Sequence, residues 1–141
     1  SLLDMNEDGK GRVPFRYKYA GETSTDTLGA KADILSVTIA PHRTSNMLVL
    51  AFVQTNNEAA AAKDVTFTLE RGATTLATAV TRLPAADASA KDVVTLFAVE
   101  SPDARESITY DLTGAASAGS PTATNKALIA IELPNRRDTT Q

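Results

Sequence analysis

Apolar and polar residues alternate with period 2 along most of this chain, in runs bounded by Gly, Pro, Asn, Asp and Ser. This is the pattern of strands that each cover one face. Eight strands are predicted: Val13–Ala20, Ile34–Ala40, Asn46–Thr55, Asp64–Glu70, Thr75–Thr81, Asp92–Val99, Glu106–Thr113 and Lys126–Leu133. Helical periodicity is hard to find. Ala59–Ala62 lies among Asn and Glu and reads as a loop.

The breaks have physical causes. Pro41 cannot donate to a sheet ladder and stops the second strand. Arg71-Gly72 supplies the positive φ that a hairpin needs. Ser101-Pro102-Asp103 is a turn tripeptide. Gly114 to Thr124 is rich in Gly, Ser, Ala, Pro and Thr and is expected to be a mobile surface loop. Short strands separated by turns suggest a sandwich or barrel, not βαβ units.

The strands are of two kinds. Leu35/Val37/Ile39, Val65/Phe67/Leu69 and Ile108/Tyr110/Leu112 alternate with Ser, Thr, Asp and Glu, so each of these strands has one dry face and one wet face. Three others are apolar on both faces. Met47–Val53 has no polar position, while Val93–Val99 and Ala127–Leu133 each have one. With no helix to cover the second face, another subunit is the expected cover. The plainer reading is that these strands are central and crowded by loops.

A chain of 141 residues is the usual size of one domain and can bury a core without disulfides; it has no cysteine. The net charge of -3 and the lack of a Lys/Arg cluster leave no footprint for nucleic acid. The longest apolar run, Met47–Val53, is too short to span a bilayer. The N-terminus lacks the basic lead and apolar stretch of a signal peptide, and a chain starting at Ser1 looks like one that lost its initiator methionine. The expected organisation is an N-terminal arm (1–12), a domain (13–133) and a C-terminal tail (134–141).

Four segments resemble the compact C1q/TNF-like jelly rolls of tailed-phage virions. They are Phe67-Thr-Leu-Glu-Arg-Gly72, Thr95-Leu-Phe-Ala-Val-Glu-Ser-Pro102, Ser107-Ile-Thr-Tyr-Asp-Leu112 and Ala127-Leu-Ile-Ala-Ile-Glu-Leu133. Each motif is short; their order and spacing carry the likeness, over about half the chain. The first 45 residues carry no family motif, although Phe15, Tyr17 and Tyr19 alternate like a first strand. The resemblance implies an all-β, two-sheet antiparallel jelly-roll sandwich that forms a homotrimer. In that fold the third, sixth and eighth strands share the sheet that faces the three-fold axis, and these are the three strands apolar on both faces.

On this reading the trimer interface would include Leu128 and Ala130, because their face also carries Glu132, which is out of place in a dry core. Ile129, Ile131 and Leu133 would then point into the core. Val93, Thr95 and Phe97 are the matching choice on the sixth strand. On the third strand, Leu48/Leu50/Phe52 and Met47/Val49/Val53 stay open. The apolar arm residues Leu2, Leu3 and Met5 are candidates for a capsid contact or for packing on their own domain.

Sites for chemistry are sparse. Asp4-Met-Asn-Glu-Asp-Gly9 opens like a calcium loop, but position twelve is Phe15, so a polar turn is preferred. His42 is the only histidine, which excludes a multi-histidine metal site and leaves one candidate base for a hydrolytic triad, with no nucleophile-elbow pattern beside it. Asp87, Asp92, Asp103 and Glu106 are scattered over turns and strand ends and read as solubilising charges. With no Trp and few aromatics, sugar stacking is disfavoured. The expectation is a structural protein, not an enzyme, with no cofactor and no metal. It would be a trimeric capsid decoration (cement) protein on the outer virion surface, whose partners are itself and the major capsid protein. The alternatives are the receptor-binding knob of a tail or head fibre and an exported C1q- or TNF-like ligand, for which no export signal is present.

Overall fold

The predicted strands appear in the computed structural model, which describes residues 4–5, 11–12, 16–41, 45–57, 61–85, 91–103, 106–117 and 121–133, with side chains from residue 16 onward. Eight long strands are formed. They are β1 (Tyr17–Glu22), β2 (Ala32–Ile39), β3 (Asn46–Asn56), β4 (Lys63–Arg71), β5 (Thr74–Leu83), β6 (Lys91–Glu100), β7 (Ile108–Ala116) and β8 (Thr122–Leu133). Two-residue strands Asp4–Met5 and Gly11–Arg12 pair with each other, and Asp26–Thr27 pairs with β8.

All pairings are antiparallel, in two sheets ordered β1-β8-β3-β6 and β2-β7-β4-β5. This is the strand order of an eight-stranded jelly-roll sandwich. Among the eight long strands described, only β4 and β5 form a direct hairpin within one sheet; Arg71 pairs with Thr74 around Gly72-Ala73. Gly72 has φ of +59°, the conformation a two-residue hairpin loop requires and an L side chain resists.

The core lies between the sheets. The strands of the second sheet supply Leu35, Val37, Ile39, Val65, Phe67, Leu69, Tyr110 and Leu112, all buried. Facing them are Met47, Val49, Ala51 and Val53 of β3, Val94 and Leu96 of β6, and Leu128 and Ala130 of β8. The clean alternation of the second-sheet strands follows from their outer face: Thr38 bonds Thr109 and Ser36 bonds Asp111 across the strands, in water.

Two expectations are corrected. In the segment from Gly114 to Thr124, the described residues 114–116 and 122–124 are strand. β7 runs on to Ala116, with Ala115 opposite Thr66 and Ala116 opposite Val65, and β8 begins at Thr122. Its small residues reflect close packing. A Cβ on Gly114 would lie 3.0 Å from Leu28 Cδ2 and 3.2 Å from Phe67 Cε1.

The second correction concerns the two faces of β8. Leu128 and Ala130 are fully buried in the inter-sheet core, while Ala127, Ile129, Ile131 and Leu133 lie on the outer side and are half-buried. The premise about Glu132 fails because this carboxylate is buried with partners. Ser45 Oγ donates to Glu132 Oε2 at 2.6 Å, and Arg16 Nε stands 3.7 Å from Oε1. A carboxylate with a hydrogen bond and an ion pair tolerates a site that an unpaired one would not.

Candidate assembly face

The outer face of the β1-β8-β3-β6 sheet can be read from its register, since residues directly opposed in an antiparallel pair share a side. One row is Tyr17–Ile131–Leu48–Val99 and the next is Tyr19–Ile129–Leu50–Phe97. Gly21–Ala127–Phe52–Thr95 follows, and Gln54–Val93 closes the patch. Phe97 and Val93 are each 62% exposed, Tyr19 61% and Phe52 44%. Thus eleven apolar or aromatic side chains of four strands meet water together, interrupted only by Thr95 and Gln54.

This decides the open choice on β3: Met47, Val49 and Val53 are core, and Leu48, Leu50 and Phe52 point outward. Val93, Thr95 and Phe97 lie on the outer side, in the direction expected for them; Leu128 and Ala130 do not join them. Tyr17, Tyr19, Val99, Ile129 and Ile131 are members that the sequence reading did not select. The alternation of Tyr17 and Tyr19 was the available signal. Leu2, Leu3 and His42, with the side chains of Met5 and of the Asp4–Gly9 segment, lie outside the described residues. Asp92 bonds Thr81 across the sandwich, while Asp103 and Glu106 sit exposed at turns.

The inward parity of β8 is set by a bulge. Asn125 has φ of +53°, and the pairing with β3 slips one residue between Thr124 and Ala127. Ala123 and Lys126 therefore both point inward. Lys126 is 2% exposed, and its Nζ donates to Ser24 O at 2.8 Å, with Asp26 Oδ2 at 2.9 Å and Glu22 Oε1 at 3.5 Å. This ammonium ties the segment after β1 to β8 and holds the bulge that orients the apolar rows.

A second pin sits at the other side of the sandwich. Arg71 Nε donates to Glu100 Oε2 at 2.6 Å, and the buried Tyr110 hydroxyl donates to the same oxygen at 2.7 Å. The bond to Glu100 holds the guanidinium's pKa above its usual value, against some desolvation. Burial, and then the bond to Glu100, pushes the Tyr110 phenol well above its ordinary value. A pKa raised in the folded state carries stability that is complete below the unfolded value of about 10 and is lost as pH rises beyond it. Urea unfolding from pH 7 to pH 11.5 should therefore show a fall beginning near pH 10. Tyr110→Phe should flatten that fall, and an unchanged alkaline profile in the variant would show that the phenol is not its source.

Asp33, at the start of β2, is pushed upward by desolvation and then by the charges of Asp111 and Glu70. Among the described residues, no three His, Asp or Glu side chains converge as a metal ion would need.

No protein-family model matches this chain, and no curated protein matches it. Solved structures do. A chain of the infectious bursal virus derived T=1 particles superimposes with a TM-score of 0.57 at 11% identity, over 86% of this chain and 32% of that one. The infectious bursal disease virus VP2 subviral particle gives 0.54 at 13% identity, over 86% and 33%. A chain of the T13 viral particle of that virus gives 0.51 at 13%, over 87% and 36%. The likeness is one of fold. The chain spans about a third of the length of the viral chains it matches.

Proposed function

We propose that this chain is a structural virion protein, a homotrimeric decoration (cement) protein that sits on the outer surface of a tailed-phage capsid and bridges major capsid subunits. The bare apolar face of the β1-β8-β3-β6 sheet carries the reading. Four strands about 4.8 Å apart and four rows about 6.8 Å apart make a flat area on the order of 500 Å². That lies at the upper end of what monomers leave in water. The absence of any Lys, Arg, Asp or Glu from its rows suits a contact between subunits, whose centres are depleted of charge. The capsid protein's shared fold and the sequence resemblance to phage virion jelly rolls support the location. Leu2, Leu3 and Met5 would supply an apolar arm for the capsid surface. The mechanism is added buried area at each site, repeated over the shell, which resists internal pressure without covalent links.

Two measurements test this. Light scattering of the purified protein should give three times the chain mass of 14.8 kDa, and a monomer at micromolar concentration would overturn the trimer. Quantitative gel densitometry of purified particles should give hundreds of copies per virion. A few to a few tens would instead make the protein the receptor-binding knob of a tail or head fibre.

A further inference from the structure

The edge of the same sheet carries an inference that goes beyond the trimer. Among the described residues β1 is the outermost strand, bonded only to β8. Five of its six residues are exposed, on both of its faces. Beneath it, an open slot of about 660 Å³ separates Tyr19–Glu22 from Asp33–Ser36 of β2. The pairing of β2 with β7 slips past Ile34, which lines this slot half-buried. Folded proteins block a free edge with a proline, a bulge or edge charges. Tyr17-Lys-Tyr-Ala-Gly-Glu22 has no proline or bulge, and its two edge charges, Lys18 and Glu22, are opposite in sign, so they repel a foreign strand less than they suit a copy of this one.

We propose that two copies join β1 to β1 in antiparallel register across a two-fold axis at Ala20. Joining the outer faces on one side requires opposed residues of equal parity, so the axis must pass through a residue. An axis at Ala20 sets Lys18 directly opposite the partner subunit's Glu22, and Glu22 opposite the partner subunit's Lys18. It also sets Tyr19 opposite the partner subunit's Gly21, the position on the outer side of β1 that lacks a side chain. Moving the axis to Gly21 loses both charge pairs, and moving it to Tyr19 sets Glu22 opposite the residue before β1, Arg16, which already stands 3.7 Å from Glu132 in its own chain.

The partners are available. Lys18 has no carboxylate within ion-pair reach among the described residues, and Glu22 is 47% exposed although one of its oxygens stands near Lys126. Tyr19 already lies along its own Gly21, where a Cβ would fall 2.3 Å from the Tyr19 hydroxyl oxygen, so an aromatic covers the glycine from either chain. The joined edge would close over Ile34 and make the two apolar faces continuous. On a shell this contact links neighbouring trimers.

The chain has no cysteine, which makes the register directly readable. Directly opposed Cα atoms in an antiparallel pair stand about 4.5–5.5 Å apart, inside the range of about 4.4–6.8 Å that a disulfide spans. Ala20→Cys should oxidise at micromolar concentration to a disulfide-linked dimer on non-reducing gels. Thr78→Cys, exposed on β5, should stay uncrosslinked. Adding Lys18→Glu to Ala20→Cys sets like charges opposite each other and should slow the crosslinking several-fold. Equal rates for Ala20→Cys and Thr78→Cys, or no response to Lys18→Glu, would overturn the pairing. Crosslinking should also persist with Ile129→Asp, which blocks association through the apolar face, so failure of the trimer leaves this result standing. Its loss in that background would assign the crosslink to the face and overturn the edge contact.

Discussion

An aspartate at Ile129 should leave a folded protein that no longer associates, whereas an aspartate one residue earlier, at Leu128, should leave no folded protein. Ile129 sits between Tyr19 and Leu50 on the outer face, where a new carboxylate stays hydrated in the monomer and is buried only on association. Burying it there costs several kcal/mol per subunit. Leu128 is fully buried between the sheets. There the same carboxylate has no partner, the leucine's own burial is lost, and the sum rivals the roughly 5–15 kcal/mol that holds a domain together. Circular dichroism and light scattering on the two variants read both outcomes. A folded but dissociated Leu128→Asp would reverse the assignment of the two faces of β8.

The second large effect is expected at Lys126. Stripping its two carboxylates with Glu22→Gln and Asp26→Asn leaves a buried ammonium with one carbonyl, Ser24 O, and no counter-charge. Breaking a buried pair from one side costs about 3–5 kcal/mol, and about 3 is expected because both carboxylates are partly open to water. Adding Lys126→Met removes the orphaned charge and keeps most of the packing. The triple variant should therefore be more stable in urea than the double. A triple variant that is less stable would mean that the lysine's aliphatic stem and bond to Ser24 matter more than its charge.

Much of the architecture was legible in the chain because strands with one wet face record their geometry directly. In β2, β4 and β7 the inward residues are apolar and their neighbours are Ser, Thr, Asp or Glu, so period 2 gives both the strand and its orientation. The unusual strands β3, β6 and β8 were legible as a group, since an apolar second face cannot be left without a cover. Their shared sheet accounts for that pattern.

Which face of β8 looked outward was not legible. Period 2 distinguishes faces only when they differ in polarity, and here both are apolar. The one polar marker, Glu132, pointed the wrong way because its partners Ser45 and Arg16 are 87 and 116 residues distant in sequence. The bulge at Asn125 was equally hidden, since it is held by Lys126 reaching carboxylates about 100 residues earlier.

By itself, then, the sequence determined that this protein is all-β, where its eight strands lie, and that three of them carry apolar residues on both sides. Local alternation and turn chemistry suffice for that. Only the tertiary structure decided which of those sides is core and which meets water, because that choice depends on ion pairs and sheet register between residues far apart in the chain. The apolar rows from Tyr19 to Phe97 exist only once β1, β8, β3 and β6 stand side by side.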